Sequence, residues 1–244
     1  MRISINYGGL SVWPWIAIFA AAMWVGLPSA EATVVFDNFD AGGGFHPQSN
    51  SGAASDINNG FTRFILRAAA EFPVTGNSFS LDSITLPISR SSSNVAGDYL
   101  RVRLTADNAG APGATLEVLS QNQNIWPAFS NPFTTTTTLT SAIHPLLSAG
   151  NNYWIVTELT SAPATTSVSS IDYRWYHNTS GTTVGFRQQQ TADGTLPADP
   201  WTGFSGQNNV ALRVDGSVPE PSSLLALSGG LLVLALVRRP RANG

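Results

Sequence analysis

The chain has 244 residues, with twelve basic residues, all arginine, against fifteen acids, a formal net charge of −3, and no cysteine. This length suits one large domain or two small ones with a substantial core. The absence of cysteine excludes a disulfide framework, thiolate metal sites and thiol catalysis. A slightly acidic chain without a basic cluster in its interior argues against nucleic-acid binding.

Residues 1–32 have the pattern of a secretory signal peptide. Arg2 supplies a positive charge ahead of an uncharged apolar run at residues 15–27, and the small residues Ala30 and Ala32 follow. Small residues at these two positions are what signal peptidase accepts, so we expect this enzyme to cleave before Thr33. A helix of 13 residues covers roughly 20 Å, less than the ~30 Å hydrocarbon core. A permanent N-terminal anchor is therefore the less favoured alternative.

Residues 218–244 form a second distinctive segment. It contains a Pro-Glu-Pro triplet, then an apolar run at residues 224–237, then an arginine cluster within residues 238–241. These three elements, in this order, resemble the PEP-CTERM sorting tail of exported bacterial proteins. The resemblance implies recognition by exosortase, a transpeptidase-like membrane enzyme that is thought to cut near the triplet. The residues concerned are Val218, Pro219, Glu220, Pro221 and Ser222 in the sorting motif, and Arg238, Arg239 and Arg241 in the cluster.

The charges of the tail indicate its orientation independently of that resemblance. Arginines after an apolar run hold that end of the chain in the cytoplasm, while the signal peptide exports what precedes it. Residues 222–237 span about 24 Å as a helix, which is marginal for crossing a bilayer. A marginal transmembrane helix suits a temporary anchor, followed by release to the cell surface or the extracellular matrix. A plain anchor that is never cleaved remains the alternative.

Residues 33–217 lie between these two segments and carry a formal net charge of −5. Apolar and polar residues alternate there with a period of two, which predicts half-buried β-strands. Clusters of glycine, asparagine and aspartate separate about nine such runs, so we expect one all-β domain, a β-sandwich or jelly roll. The runs are residues 33–39, 61–72, 84–88, 98–105, 115–119, 153–159, 169–177, 183–188 and 210–214.

Part of this region is similar to a family of exported domains. Residues 99–120 read YLRVRLTADNAGAPGATLEVLS, with an Asp-x-x-Gly-x-Pro-Gly turn at residues 107–113, and residues 145–156 read PLLSAGNNYWIV. This pattern resembles the "choice-of-anchor" domains, which share one exterior module but carry different surface anchors, PEP-CTERM among them. The resemblance implies a secreted β domain and specifies no chemistry.

Catalytic and metal-binding motifs are absent from the sequence. The histidines at positions 46, 144 and 177 lie in three separate contexts, without metal-ligand spacing. We therefore predict no catalytic residue, no metal and no cofactor. The glutamates leave a glycosidase as a remote alternative, although we place Glu117 and Glu158 on solvent-facing strand positions. The oxygen-rich residues 37–40 and 56–60 could bind calcium, but Asx-turns account for them without a metal.

Aromatic residues offer the better indication of a binding surface. Tyr173, Trp175 and Tyr176 could form a platform on which the C–H faces of sugars stack, with packing in the core as the alternative. A threonine run at residues 134–138, continued by Thr140, would place a row of hydroxyls along one strand face. This row leaves ice binding as a remote alternative.

These observations predict an exported surface or matrix protein that is not an enzyme. We expect a structural component associated with exopolysaccharide in a biofilm, with a carbohydrate-binding module as the alternative. The implied partners are signal peptidase, exosortase, the membrane through the C-terminal helix, and an extracellular polysaccharide.

Overall fold

The structure is a computed structural model that describes residues 32–58, 63–90, 100–120, 125–160, 170–191, 197, 200–202 and 204–218. These residues contain fourteen β-strands and no α-helix. In chain order the strands are β1 (Thr33–Asp37), β2 (Asn50–Asn58), β3 (Arg63–Pro73), β4 (Phe79–Leu86), β5 (Ile88–Arg90), β6 (Leu100–Asp107), β7 (Pro112–Ser120), β8 (Thr137–Thr140), β9 (Leu146–Leu147), β10 (Asn152–Leu159), β11 (Ser170–Tyr176), β12 (Val184–Thr191), β13 (Phe204–Asn208) and β14 (Arg213–Ser217).

Five strands form the smaller sheet, in the order β1-β14-β4-β8, with β9 pairing the first residues of β4. The first and last strands of the domain are therefore neighbours. A single residue, Pro87, separates β4 from β5, which belongs to the other sheet. The chain thus turns a corner between the sheets at a residue that has no N–H to donate to a ladder.

Nine strands form the larger sheet, whose main order is β5-β11-β2-β3-β10-β6-β7. Strand β3 has eleven residues and organises this sheet. Its first half pairs with β2 and its second half with β10, while β12 pairs with its middle. The hydroxyl of Thr157 lies where β2 meets β10 and donates to the carbonyls of Ala53 (2.7 Å) and Ala68 (3.2 Å). These bonds satisfy backbone acceptors at the junction.

Both sheets contribute to one hydrophobic core. On β4, Leu81, Ile84 and Leu86 are fully buried, and on β6, Leu100, Val102 and Leu104 are fully buried. Their alternation with polar residues is the period of two that predicted these strands, except between Leu81 and Ile84, where the pairing of β4 with β14 is irregular. The all-β prediction is confirmed. Among the described residues no helix has the length and apolarity to cross a membrane, and the predicted signal peptide and C-terminal helix lie outside those residues.

Each of the nine predicted runs overlaps a strand of the structure, and the run at residues 84–88 overlaps both β4 and β5. Four further strands, β2, β8, β9 and β13, lie outside these runs. Strand β2 is the longest of these, with the sequence NSGAASDIN. Its small and polar residues carry no apolar alternation, yet Ala53, Ala54 and Asp56 are buried because β3 and β11 flank it. The expectation of an oxygen-rich loop beginning at Asp56 is therefore wrong: Asp56 lies within a buried strand.

Candidate functional site

The described residues that adjoin the two predicted processing sites lie beside each other at one end of the smaller sheet. Thr33, the first residue of β1, pairs with Gly216, and Ser217, the last residue of β14, pairs with Ser80. Val218 follows directly and is 40% exposed. The chain therefore leaves the folded sheet immediately before the Pro-Glu-Pro triplet. We call this end of the domain, where β1 begins and β14 ends, the tail end.

The sheet is closely packed at the tail end. A Cβ on Gly216 would lie 2.7 Å from the carbonyl oxygen of Ser80 and about 3 Å from side-chain atoms of Val35 and Phe79. Glycine is therefore required where the chain passes between β1 and β4. Of the residues predicted for processing and sorting, the structure describes Ala32, Thr33 and Val218. The others lie outside the described residues: Ala30, Pro219, Glu220, Pro221, Ser222, Arg238, Arg239 and Arg241.

The predicted aromatic platform is located in the core. Tyr173, Trp175 and Tyr176 each have 0% exposure. The indole N–H of Trp175 donates to the carbonyl of Ala211 (2.7 Å), and the ring of Tyr176 stacks on Phe133 with centroids 4.5 Å apart. These side chains expose no ring face on which a sugar could stack. The prediction of a glycan platform at these residues is corrected accordingly.

A cluster of three arginines and one glutamate lies on the outer face of the larger sheet, the face turned away from the core. Glu158 Oε1 lies 2.7 Å from Arg101 Nη2 and 2.6 Å from Arg103 Nε. Arg103 Nη2 also donates to Glu158 Oε2 (3.2 Å), and Arg67 Nη1 lies 3.7 Å from the same oxygen. We call these four residues the arginine–glutamate cluster. Glu158 is only 6% exposed, so the prediction that it faces solvent is wrong.

The arginine–glutamate cluster is shielded by a second set of contacts. The guanidinium of Arg67 lies 3.9 Å from the ring centroid of Trp201, a cation–π distance, and its Nε donates to Gln189 (2.9 Å). Arg103 Nη1 donates to the hydroxyl of Thr115 (2.6 Å). Charges withdrawn from water persist only when they are paired and hydrogen-bonded. Each arginine of the cluster forms an ion pair with Glu158, although the buried Arg103 Nε lacks hydrogen-bond geometry. The cluster therefore acts as a structural element of the sheet.

The turn and the strand that carry the choice-of-anchor resemblance are in direct contact. Asp107 accepts a hydrogen bond from the backbone N–H of Gly110 (3.1 Å) and another from the indole N–H of Trp154 (2.7 Å). The backbone of Ala109 has φ 54° and that of Gly110 has φ 78°, the conformation of a type I′ hairpin. The aspartate of the turn motif thus holds both its own turn and the tryptophan of the Tyr-Trp strand.

Glu71 and Asp107 form a pair of acids whose charges interact. Glu71 accepts from Asn152 Nδ2 (2.7 Å), and its carboxylate lies over Gly185, where a Cβ would overlap it. Burial, and to a smaller degree the charge of Asp107, raises the pKa of Glu71. A cleft of about 390 Å³ opens beside Asp107 and Asn152. Because Asp107 already accepts from Trp154 and the turn, its role in this pair is structural.

The third glutamate of the domain is buried as well. Glu117 is 6% exposed and accepts from the hydroxyl of Ser141 and from the N–H of Ala142, both at 2.6 Å. It therefore anchors the segment that connects β8 with β9. The prediction that Glu117 faces solvent is wrong, because the neighbouring segment covers this position on β7.

The histidines and the candidate calcium loops are separate features. His177 lies within 2.9 Å of the hydroxyls of Ser49 and Ser51, and burial, followed by the charge of His46, lowers its pKa. Asp37 accepts from the N–H of Phe39 (2.8 Å), which confirms the predicted Asx-turn. Among the residues that the structure describes, no group of three metal-ligating histidines or acids is present.

Comparison with known proteins identifies a sorting motif that begins at the tail end. Residues 217–239 match the PEP-CTERM protein-sorting motif. The match begins at Ser217, where β14 ends, and covers the triplet, the apolar run and the first two arginines of the cluster. No curated protein matches the chain. The chain therefore carries a PEP-CTERM protein-sorting motif, which implies an extracellular protein that exosortase sorts after transit through the membrane.

Proposed function

We propose that the protein is a structural component of the cell surface or extracellular matrix, associated with exopolysaccharide. The sorting motif at residues 217–239 carries this proposal. It supports delivery of the all-β domain to the outside of the cell, with the arginines holding the C-terminus in the cytoplasm until the tail is removed. The direct passage from β14 into the motif further supports a domain that is presented close to the membrane before release.

The position of the tail end supports processing at both termini of the same folded domain. Thr33 pairs with Gly216, so the predicted signal-peptidase product begins next to the strand from which the tail departs. Neighbouring strands lie about 4.8 Å apart. Both membrane-directed segments of the precursor therefore join the domain at one end of two neighbouring strands, β1 and β14.

We expect the mature protein to begin at Thr33 and to lack residues 224–244. The measurement is mass spectrometry of surface-released protein from an exosortase-containing bacterium. Replacing Arg238, Arg239 and Arg241 with glutamine should remove most of the membrane retention, because the positive charges that fix the orientation are lost. Replacement of the same residues with lysine is the matched control and should preserve retention. Released protein with an intact tail would contradict cleavage, and an intact tail that stays in the membrane would favour the plain anchor.

We further propose that the domain is not an enzyme. The support is that Asp107, Glu117 and Glu158 each already hold structural partners. We expect purified protein to show no turnover of polysaccharide, peptide or ester substrates above background. Glu71 accepts from Asn152, which lines the cleft, and burial raises the pKa of Glu71, so Glu71→Gln is the informative variant. Turnover by the wild type that this variant abolishes, with the fold intact by circular dichroism, would show that the proposal is wrong.

A further inference from the structure

A groove of about 270 Å³ lies on the outer face of the smaller sheet. Its position follows from the strand register. Asp37 pairs with Arg213, Arg213 with Thr85, and Thr85 with Thr138. Asp37 is the member of this paired row on β1. It lies four residues after Thr33, which is roughly 13 Å along the strand. We call this depression, which Phe39 and Asp215 also line, the strand-face groove.

Hydroxyl groups form the floor of the strand-face groove. Thr85 and Thr138 are opposite each other on β4 and β8, with their hydroxyl oxygens 2.9 Å apart. Thr138 belongs to the five-threonine run and is exposed. A threonine hydroxyl both donates and accepts hydrogen bonds, and a pair of them on adjacent strands offers both functions within about 5 Å. The threonine run thus supplies polar groups to a concave surface.

An arginine held between two acids forms the wall of the groove. Arg213 Nε and Nη2 donate to Asp215 at 2.9 and 2.8 Å, and Nη1 lies 3.9 Å from Asp37 Oδ2. The side chain of Arg213 is 43% exposed, so part of its guanidinium faces the groove. The bidentate pairing fixes the donors before any ligand arrives. The carboxylates next to them supply acceptors for hydroxyl groups.

An aromatic ring lies at the margin of the groove. Phe39 is half-buried, its N–H donates to Asp37 (2.8 Å), and its ring meets Phe45 edge to face with centroids 6.2 Å apart. These contacts hold the ring in place on the loop after β1. A fixed apolar ring beside convergent polar groups matches the amphipathic surface of a sugar, which has C–H faces and hydroxyl edges.

We propose that the strand-face groove binds a segment of neutral polysaccharide. Two carboxylates against one guanidinium give the groove a local charge of −1, which disfavours polymers of uronic acid and favours uncharged sugars. The groove extends along the sheet from the paired row of Asp37, Arg213, Thr85 and Thr138 to Asp215, which directly precedes Gly216. This inference rests on the proposed function and names the class of polysaccharide that the surface protein contacts.

The test is affinity electrophoresis of the purified full chain in detergent, with hydroxyethyl cellulose and dextran as neutral probes and alginate as the polyuronate. We expect saturable binding to a neutral probe and none to alginate. Phe39→Ala and Arg213→Gln should each weaken binding about tenfold, and Thr138→Val about threefold, because each removes one stacking or hydrogen-bonding group. Thr135→Val, from the same run but outside the groove, is the matched control and should bind as the wild type does.

Three results would overturn the proposal. These are no saturable binding to either neutral probe, a preference for alginate, or neutral binding that the three groove variants leave unchanged while thermal unfolding shows them folded. Thr138→Val removes a single exposed hydroxyl and keeps the side-chain volume, so it tests the groove even where Phe39→Ala fails to fold. Inhibition of ice growth by the Thr138 face, without glycan binding, would be a case of the first result and would favour ice binding instead. Tail removal in the same variants reports on sorting separately, and we expect it to be unchanged.

Discussion

Replacing Glu158 with glutamine is expected to lower the free energy of unfolding by about 3–5 kcal/mol. The carboxylate is the common partner of Arg67, Arg101 and Arg103, and its environment is almost fully buried. Glutamine preserves the shape of the side chain but removes the negative charge, so three guanidiniums would face one neutral amide. Chemical denaturation of the wild type and the variant, followed by tryptophan fluorescence, measures the difference.

Glu117→Gln is the control for this experiment. Glu117 is buried to the same extent as Glu158, but its partners are the hydroxyl of Ser141 and backbone N–H groups. Loss of hydrogen bonds to a charged group costs about 1.5–3 kcal/mol, so the control should lose less stability. Equal losses in the two variants would show that the arginine charges contribute nothing specific. A loss at Glu158 below about 1 kcal/mol would contradict the structural role of the arginine–glutamate cluster.

Trp175→Ala is expected to cost about 3–5 kcal/mol, because it opens a cavity in the core. The indole is fully buried and donates to the carbonyl of Ala211, so the substitution also removes a partner from a buried backbone acceptor. In a domain of this size such a loss lowers the melting temperature by roughly 10 °C. Differential scanning calorimetry measures it.

Trp175→Phe separates the cost of the cavity from the cost of the lost hydrogen bond to Ala211. Phenylalanine retains an aromatic ring in the core but lacks the N–H that reaches Ala211, so it should destabilise the domain by less than alanine does. A Trp175→Ala variant with unchanged melting temperature would contradict the burial of this residue. If Trp175→Ala kept the wild-type melting temperature but lost glycan binding, the result would support the aromatic platform that the sequence predicted.

The period of two in the sequence indicates which residues share a face of a strand. On β10, Tyr153 and Ile155 belong to the main core, while Trp154 and Val156 belong to a second apolar cluster on the opposite face. Alternation separates these two sets. It does not reveal that both faces are covered, because the cover on the outer face includes Trp201, which is remote in the chain.

The same limit explains the error at Glu158. Its alternation with Leu159 places it on the outer face of β10, and an outer face of an antiparallel sheet is commonly solvated. Here the register sets Glu158 opposite Arg101, and the segment that carries Trp201 lies over the neighbouring Arg67. Register and long-range cover depend on the pairing of strands that are distant in sequence, and local periodicity carries no information about them.

Sequence by itself determined the sorting motif and the all-β class, because these depend on local properties: an arginine cluster next to an apolar run, and a period of two. The signal peptide, read from an apolar run and small residues at a cleavage position, stays a prediction. The match at residues 217–239 bears out the sorting tail. Tertiary structure alone decided that Thr33 lies beside Gly216, that Asp107 bonds to Trp154, and that Trp175 is buried. Each of these facts arises from contacts between segments far apart in the chain. Such contacts form only when the strands pair in one register and the two sheets close on a common core.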